Sequence, residues 1–176
     1  VTDIREIQVH MCAIGIGSGA DVLRATLGSC VGIGVLWRER GLYGLAHCLL
    51  PEAPGHAASH ASSQVANQSQ AHSQPAAIGA KYVTQAIPSL LSLMQIQRSS
   101  YRELEVVLAG GANMVHYVRR PSHAPIGEQN FRTAQRLLDA LGVRIVHTDV
   151  GGESGRQLLI DCRQHSFVVK KIARTL

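Results

Sequence analysis

The sequence predicts an α/β protein of the α+β type, with mixed β-sheets and helices on the outside. Three observations predict it. Short apolar runs with a period of two recur near both ends of the chain, which is the pattern of half-buried strands. Two longer stretches follow a helical period instead. The helices do not alternate strictly with the strands, which argues against a doubly wound parallel sheet and for mixed sheets with outer helices.

Residues 4–12 read as a first strand leading into a glycine-rich turn, Gly15-Ile16-Gly17-Ser18-Gly19. Val31 to Trp37 is a second strand with Val31, Ile33, Val35 and Trp37 on one face. Arg38-Glu39-Arg40-Gly41 is a turn, and Leu42 to Leu50 returns as the partner of a hairpin. Pro51 to Pro75 is rich in Ala, Ser, His and Gln, with Val65 its only large aliphatic residue. Such a segment buries too little apolar surface to offset its ordering entropy, so a flexible loop is expected over 51–75 within a single domain spanning 1–176. Ile78 to Gln97 is helical in period, with Val83, Ile87, Leu90, Leu91 and Met94 on one face. Pro88 inside it predicts a kink or a restart. Leu104 to Ala109 is a strand ending in Gly110-Gly111. Phe131, Ala134, Leu137, Leu138 and Leu141 form the stripe of a second helix, closed by Gly142. Val143 to His147, Gln157 to Cys162 and Phe167 to Lys171 complete the strands.

The bulk numbers narrow the function. A formal charge of +5 permits a nucleic-acid or acidic partner, but the basic residues are scattered and only 4% of the chain is aromatic. A base-stacking platform is therefore not expected, and neither is nucleic-acid binding. The four cysteines, Cys12, Cys30, Cys48 and Cys162, form no C-x-x-C pair, and a chain of this length does not need a disulfide framework. No apolar run reaches the ~18 residues of a membrane span, and no signal-peptide pattern is visible. The cytosol is the expected compartment, with no membrane insertion.

The chemistry concentrates in Thr26-Leu27-Gly28-Ser29-Cys30 and Gly44-Leu45-Ala46-His47-Cys48. If Trp37 pairs with Leu42, paired numbers sum to 79 and Cys30 lies opposite Leu49. His47, two residues away, then shares its face at diagonal distance, about 7–8 Å between Cα atoms. A slip of one residue would turn His47 to the other face. In the same register Cys48 points away from His47, which makes it the poorer nucleophile. Gly28 lets a backbone or a substrate come close. The amides about Gly28 and Ser29 are candidate oxyanion donors. Spacing alone also suits a buried, inert cysteine and a structural histidine.

The words around these residues resemble the CheD family of chemotaxis proteins: Leu27-Gly28-Ser29-Cys30-Val31, then Ala46-His47-Cys48-Leu49-Leu50-Pro51, Lys81-Tyr82, Ala109-Gly110-Gly111-Ala112-Asn113-Met114, Ile126-Gly127-Glu128-Gln129-Asn130, and Asp149-Val150-Gly151-Gly152 with Gly155-Arg156. The order is kept over nearly the whole chain outside 51–75. The resemblance implies a sandwich related to the catalytic domain of cytotoxic necrotizing factor toxins. It implies a glutamine deamidase that converts receptor Gln side chains to Glu with release of ammonia, a protein-glutamine glutaminase. Cys30 takes the place of the nucleophile and His47 that of the base. Thr26 is the nearby threonine for the family's assisting Thr. No cofactor or metal is implied. Methyl-accepting chemotaxis receptors are the implied partners, and in some members a CheC-type phosphatase. The glycine pairs near Gly110 and Gly151 would either shape the rim of the site or simply make tight turns.

Two other readings are carried forward. A non-catalytic regulator would keep the fold and bind receptors or a CheC-type phosphatase without turnover. A metal site would draw on His56, His60 and His72, with Glu52 nearby, but these histidines stand in a segment without helical pattern and no complete ligand set surrounds them.

Overall fold

The computed structural model describes residues 3–54, 77–115 and 122–173. In chain order the elements are β1 (Arg5–Gln8), β2 (Ile14–Ser18), β3 (Asp21–Leu27), β4 (Val31–Trp37), β5 (Leu42–Cys48), α1 (Val83–Leu93), β6 (Glu105–Gly110), α2 (Ile126–Leu141), β7 (Arg144–Val150), β8 (Gly155–Asp161) and β9 (Ser166–Ile172). Four strands form one sheet in the order β1-β3-β8-β9, and five form another in the order β2-β5-β4-β6-β7. Each sheet is mixed: β1 with β3 and β6 with β7 run parallel, and the remaining pairs are antiparallel.

The side chains sort into two cores. Leu23, Ala25, Leu27, Leu158 and Ile160 from the four-stranded sheet meet Leu36, Tyr43, Leu45, Val107 and Ala109 from the five-stranded one. On the far face of the five-stranded sheet, Val31, Ile33, Val35 and Trp37 pack under Val83, Ile87 and Leu90 of α1 and Ala134 and Leu138 of α2. The layers are therefore helices, five-stranded sheet, four-stranded sheet. β4 is covered on both sides, and all seven of its residues are buried. Its inward glycines let the sheets close: a Cβ at Gly32 would stand 2.7 Å from Leu27 Cδ1, and one at Gly34 3.0 Å from Ile160 Cδ1.

The second helix lies where its stripe predicts, and Gly142 closes it in the left-handed conformation at φ 69°. The first helix is one continuous element, Val83–Leu93, with Pro88 inside it and no restart. The glycine-rich stretch differs from expectation. Gly15 and Gly17 belong to β2, and only Gly19 makes a turn, at φ 57°. Both strand glycines face Leu23 across the sheets, and a Cβ at Gly15 would lie 2.7 Å from Val9 Cγ2. They are there for close approach, not for turning. The initial strand is shorter than expected, and β3 is an additional strand whose inward Leu23, Ala25 and Leu27 alternate with outward residues. The expected loop over 51–75, from residue 55 onward, lies outside the described residues, as do His56, His60 and His72.

Candidate active site

β4 and β5 pair from Trp37↔Leu42 to Val31↔Cys48, the register in which paired numbers sum to 79. His47 lies opposite Gly32. Gly32 has no side chain, the space over it is taken by Leu27, and Cys30 lies two residues along on the same, inter-sheet side. Cys30 joins the inter-sheet core, while Cys48 is fully buried on the helix side. Cys30 and His47 are nearly closed off, at 4% and 5% exposure.

Three backbone contacts hold His47 to the segment between β1 and β2. Its amide donates to Ala13 O (3.1 Å), its carbonyl accepts from the Cys12 amide (2.8 Å), and Nδ1 lies 3.1 Å from Val9 O. A carbonyl only accepts, so Nδ1 carries the proton and the neutral ring keeps a lone pair on Nε2. That is the tautomer a general base requires. Burial pushes the His47 pKa below its ordinary value, the Val9 contact offsets part of this, and His10 adds to the lowering. Burial likewise pushes the Cys30 thiol up, with a contribution from Cys12, while its own amide N–H favours the thiolate. The resting pair at neutral pH is thus a thiol and a neutral imidazole.

The turn that presents Cys30 is held through its carbonyls. Gly28 O accepts from the Ala112 amide (2.9 Å) and Cys30 O from the Gly111 amide (2.7 Å). Asn130, in the first turns of α2 and fully buried, donates through Nδ2 to Ser29 O (3.1 Å) and to Leu49 O (3.0 Å). Gly110 has φ 99°, and a Cβ there would collide with the Cys30 carbonyl oxygen. A Cβ at Gly111 would lie 2.7 Å from Gly127 O, so β6, the Cys30 turn and the start of α2 touch backbone to backbone.

A rim rises beside this turn. Gly151 N donates to Gly110 O (3.1 Å) and Asn113 N to Gly152 O (2.7 Å). The buried Arg156 anchors the rim loop, donating to Asp149 Oδ1 (3.0 Å), to Ser154 O (2.5 Å) and to Gly151 O. A cleft of about 390 Å³ lies between Gly111, Asn113, Phe131 and Gly152.

One expected member is not brought in. Thr26 sits between the inward-facing Ala25 and Leu27, so its side chain lies on the outer face of the four-stranded sheet, exposed. The period of the strand turns it away from His47, and the group that orients the imidazole is the Val9 carbonyl. No sequence signal marks a backbone carbonyl. Asn130 did leave one: it shares the buried face of α2 with Ala134 and Leu138, and a polar residue on an apolar stripe calls for partners.

The family model for CheD chemotactic sensory transduction matches residues 64–171. A probable chemoreceptor glutamine deamidase CheD 2 of Ruegeria sp. (strain TM1040) is 37% identical over 172 residues, 98% of this chain and 95% of the relative. The chain belongs to the CheD family. A CheD of Pyrococcus abyssi, also named a probable chemoreceptor glutamine deamidase, is 34% identical over 96% of this chain and 93% of its own length. Another, from Bdellovibrio bacteriovorus, is 30% identical over 97% of both. The family-model match begins after Cys30 and His47, whereas these pairwise CheD likenesses run nearly end to end.

Proposed function

We propose that this protein deamidates selected glutamine side chains of methyl-accepting chemoreceptors, through Cys30 as nucleophile and His47 as base. The observation that carries the reading is the shared face of the thiol and an imidazole whose Nδ1 is committed to Val9 O. Nε2 takes the thiol proton as sulfur attacks the carboxamide carbon. The amides of Ser29 and Cys30, whose own carbonyls are held elsewhere, face the developing oxyanion. The imidazolium returns its proton to the departing ammonia. Water, deprotonated by His47, then hydrolyses the thioester and leaves Glu. The names of the relatives support this substrate.

The finer points of the reading go with it. The chain acts as a single domain. The sandwich is related to the catalytic domain of cytotoxic necrotizing factor toxins. The protein works in the cytoplasm on the helical cytoplasmic region of receptors, without cofactor, nucleic acid or membrane insertion, and a CheC-type phosphatase is a further partner. No helix among the described residues is long and apolar enough to cross a membrane.

Ammonia release from a receptor cytoplasmic fragment tests the activity, with mass spectrometry reading a gain of about one dalton per converted site. Cys30→Ala should abolish both signals and keep the fold. His47→Ala should depress turnover. The outward Thr26 favours one other reading, a regulator that binds receptors without turnover. Receptor binding with no ammonia released would establish it.

A further inference from the structure

We propose that Asn130 is a positioning residue for catalysis, holding the Ser29–Cys30 peptide so that the Cys30 amide faces the oxyanion. This rests on the deamidase reading and adds to it a residue outside the Cys-His pair.

The orientation of the side chain is decided by its partners. Both groups within reach of Nδ2 are carbonyl oxygens, Ser29 O and Leu49 O. Turning the amide over would set Oδ1 against two acceptors and leave the NH₂ without one. As placed, Oδ1 is buried without a partner. An unpartnered acceptor in a fully buried residue is tolerated here for the sake of the two donors.

What those donors hold explains the placement. Ser29 C=O and Cys30 N–H belong to one planar trans peptide and point in opposite directions. Drawing the carbonyl toward α2 turns the Cys30 N–H away from α2. The neighbouring peptide is fixed in the same way, since the Ala112 amide holds Gly28 O and so directs the Ser29 N–H. Neither the Ser29 nor the Cys30 amide donates to a backbone carbonyl among the described residues. Each is left without a backbone acceptor, and the Cys30 N–H lies toward its own sulfur, where an oxyanion formed on attack would meet it. Hydrogen bonding at the carbonyl also polarises the peptide and strengthens its N–H as a donor. The second bond, to Leu49 O, joins this peptide to the strand end two residues beyond His47. One side chain therefore spans the nucleophile's turn and the base's strand.

A comparison of two reactions of Cys30 tests the role. Acylation by p-nitrophenyl acetate passes through a tetrahedral oxyanion, and alkylation by iodoacetamide does not. Rates are corrected by those of Cys30→Ala to remove the other thiols. In Asn130→Ala the acylation rate should fall about 10- to 100-fold, less than the about 100- to 1000-fold of an oxyanion donor removed outright because the Cys30 amide is misplaced and not lost, with alkylation within about twofold of the unmodified protein. On receptor substrate kcat should fall by a like factor while KM holds. Asn130→Asp keeps the shape. Its neutral acid donates one hydrogen bond and its carboxylate none, so acylation relative to alkylation should recover as pH is lowered. Parallel loss of both reactions would reduce Asn130 to a structural brace and overturn the proposal. So would unchanged acylation in both variants. If the unmodified protein released no ammonia from receptors yet the acylation loss appeared, the deamidase reading would fall and the positioning role would stand.

Discussion

Gly110→Ala separates a fold requirement from a catalytic one. Gly110 ends β6 with φ 99°, and an added Cβ would run into the carbonyl oxygen of Cys30 while lying 3.0 Å from Leu27 Cβ. The carbonyl must retreat by about 1 Å to restore ordinary contact. The next residue donates the 2.7 Å bond from Gly111 N to that same oxygen, so the retreat strains it. Backbone strain at positive φ costs about 1–3 kcal/mol, and a weakened hydrogen bond adds about 1 kcal/mol. The sum, about 2–4 kcal/mol, lowers the melting temperature by about 5–15 °C for a chain of this size. It leaves most of a typical 5–15 kcal/mol stability in place, on the usual order for a domain. The catalytic loss is larger than the thermal one suggests, because misplacing a reacting group by about 1 Å costs about a hundredfold in rate.

Gly41→Ala is the matched control. Gly41 also has positive φ, 59°, but a Cβ there meets nothing within 4 Å. It should lower the melting temperature by a few degrees, for a strain of about 1–2 kcal/mol, and leave turnover unchanged. Calorimetric melts and ammonia release, read together at a temperature where both variants are folded, give the comparison. A Gly110→Ala protein that loses stability as expected yet turns over within about twofold of the parent would refute the claim that this loop places the nucleophile.

Three further outcomes follow from the same geometry. Burial and His10 hold the His47 pKa below its usual 6.5, so the imidazole stays an unprotonated base down to lower pH. The acid limb of kcat/KM should therefore fall below pH 6.5, and a limb at or above that value would contradict a buried base. Thr26→Val should leave kcat and KM unchanged, because the side chain lies on the far face of β3; a tenfold loss in kcat would restore a role for its hydroxyl. Asp21 is held below the usual carboxylate range by Arg5, which donates two hydrogen bonds of 2.8 Å, and by the Ser18 amide. A lowered carboxyl pKa contributes stability above the unfolded value of 3.8 and loses it as pH falls through the folded value. Melts of Asp21→Asn should accordingly lie below the parent at neutral pH and converge with it as pH falls below the folded value, which lies under 3.8.

The legible parts of this molecule were those that a single period determines. The β4–β5 hairpin follows from one turn and two alternating runs, and its register carried Cys30 and His47 to one face. The stripe of α2 and its Gly142 cap read as plainly. Glycine is a turn signal, yet Gly15 and Gly17 sit inside β2 because the facing sheet comes too close for a Cβ. The flanking Ile14 and Ile16 were the competing evidence, at the spacing of a strand. In β3 the intervening Arg24 and Thr26 hid nothing; the alternation of Leu23, Ala25 and Leu27 was there to be read. Thr26 stands near Cys30 in sequence, and strand parity sets its side chain on the outer face of the four-stranded sheet. The Val9 carbonyl could not be found from side-chain identity, since every residue carries one.

The state of the pair has a consequence for selectivity. Reactivity toward oxidants and alkylating agents follows the thiolate. With Cys30 raised and His47 lowered by the same burial, little thiolate exists at neutral pH, so indiscriminate chemistry is suppressed. In the proposed reaction, attack on a carboxamide would be suppressed less, because there the proton would leave sulfur as the carbon–sulfur bond forms, and the oxyanion would be met by the Ser29 and Cys30 amides. On that mechanism the charge that burial disfavours in the resting site would be shared, in the transition state, between an imidazolium and an oxyanion that both have partners. A site at about 5% exposure can thus stay quiet in the free protein and still act on a side chain that fills it.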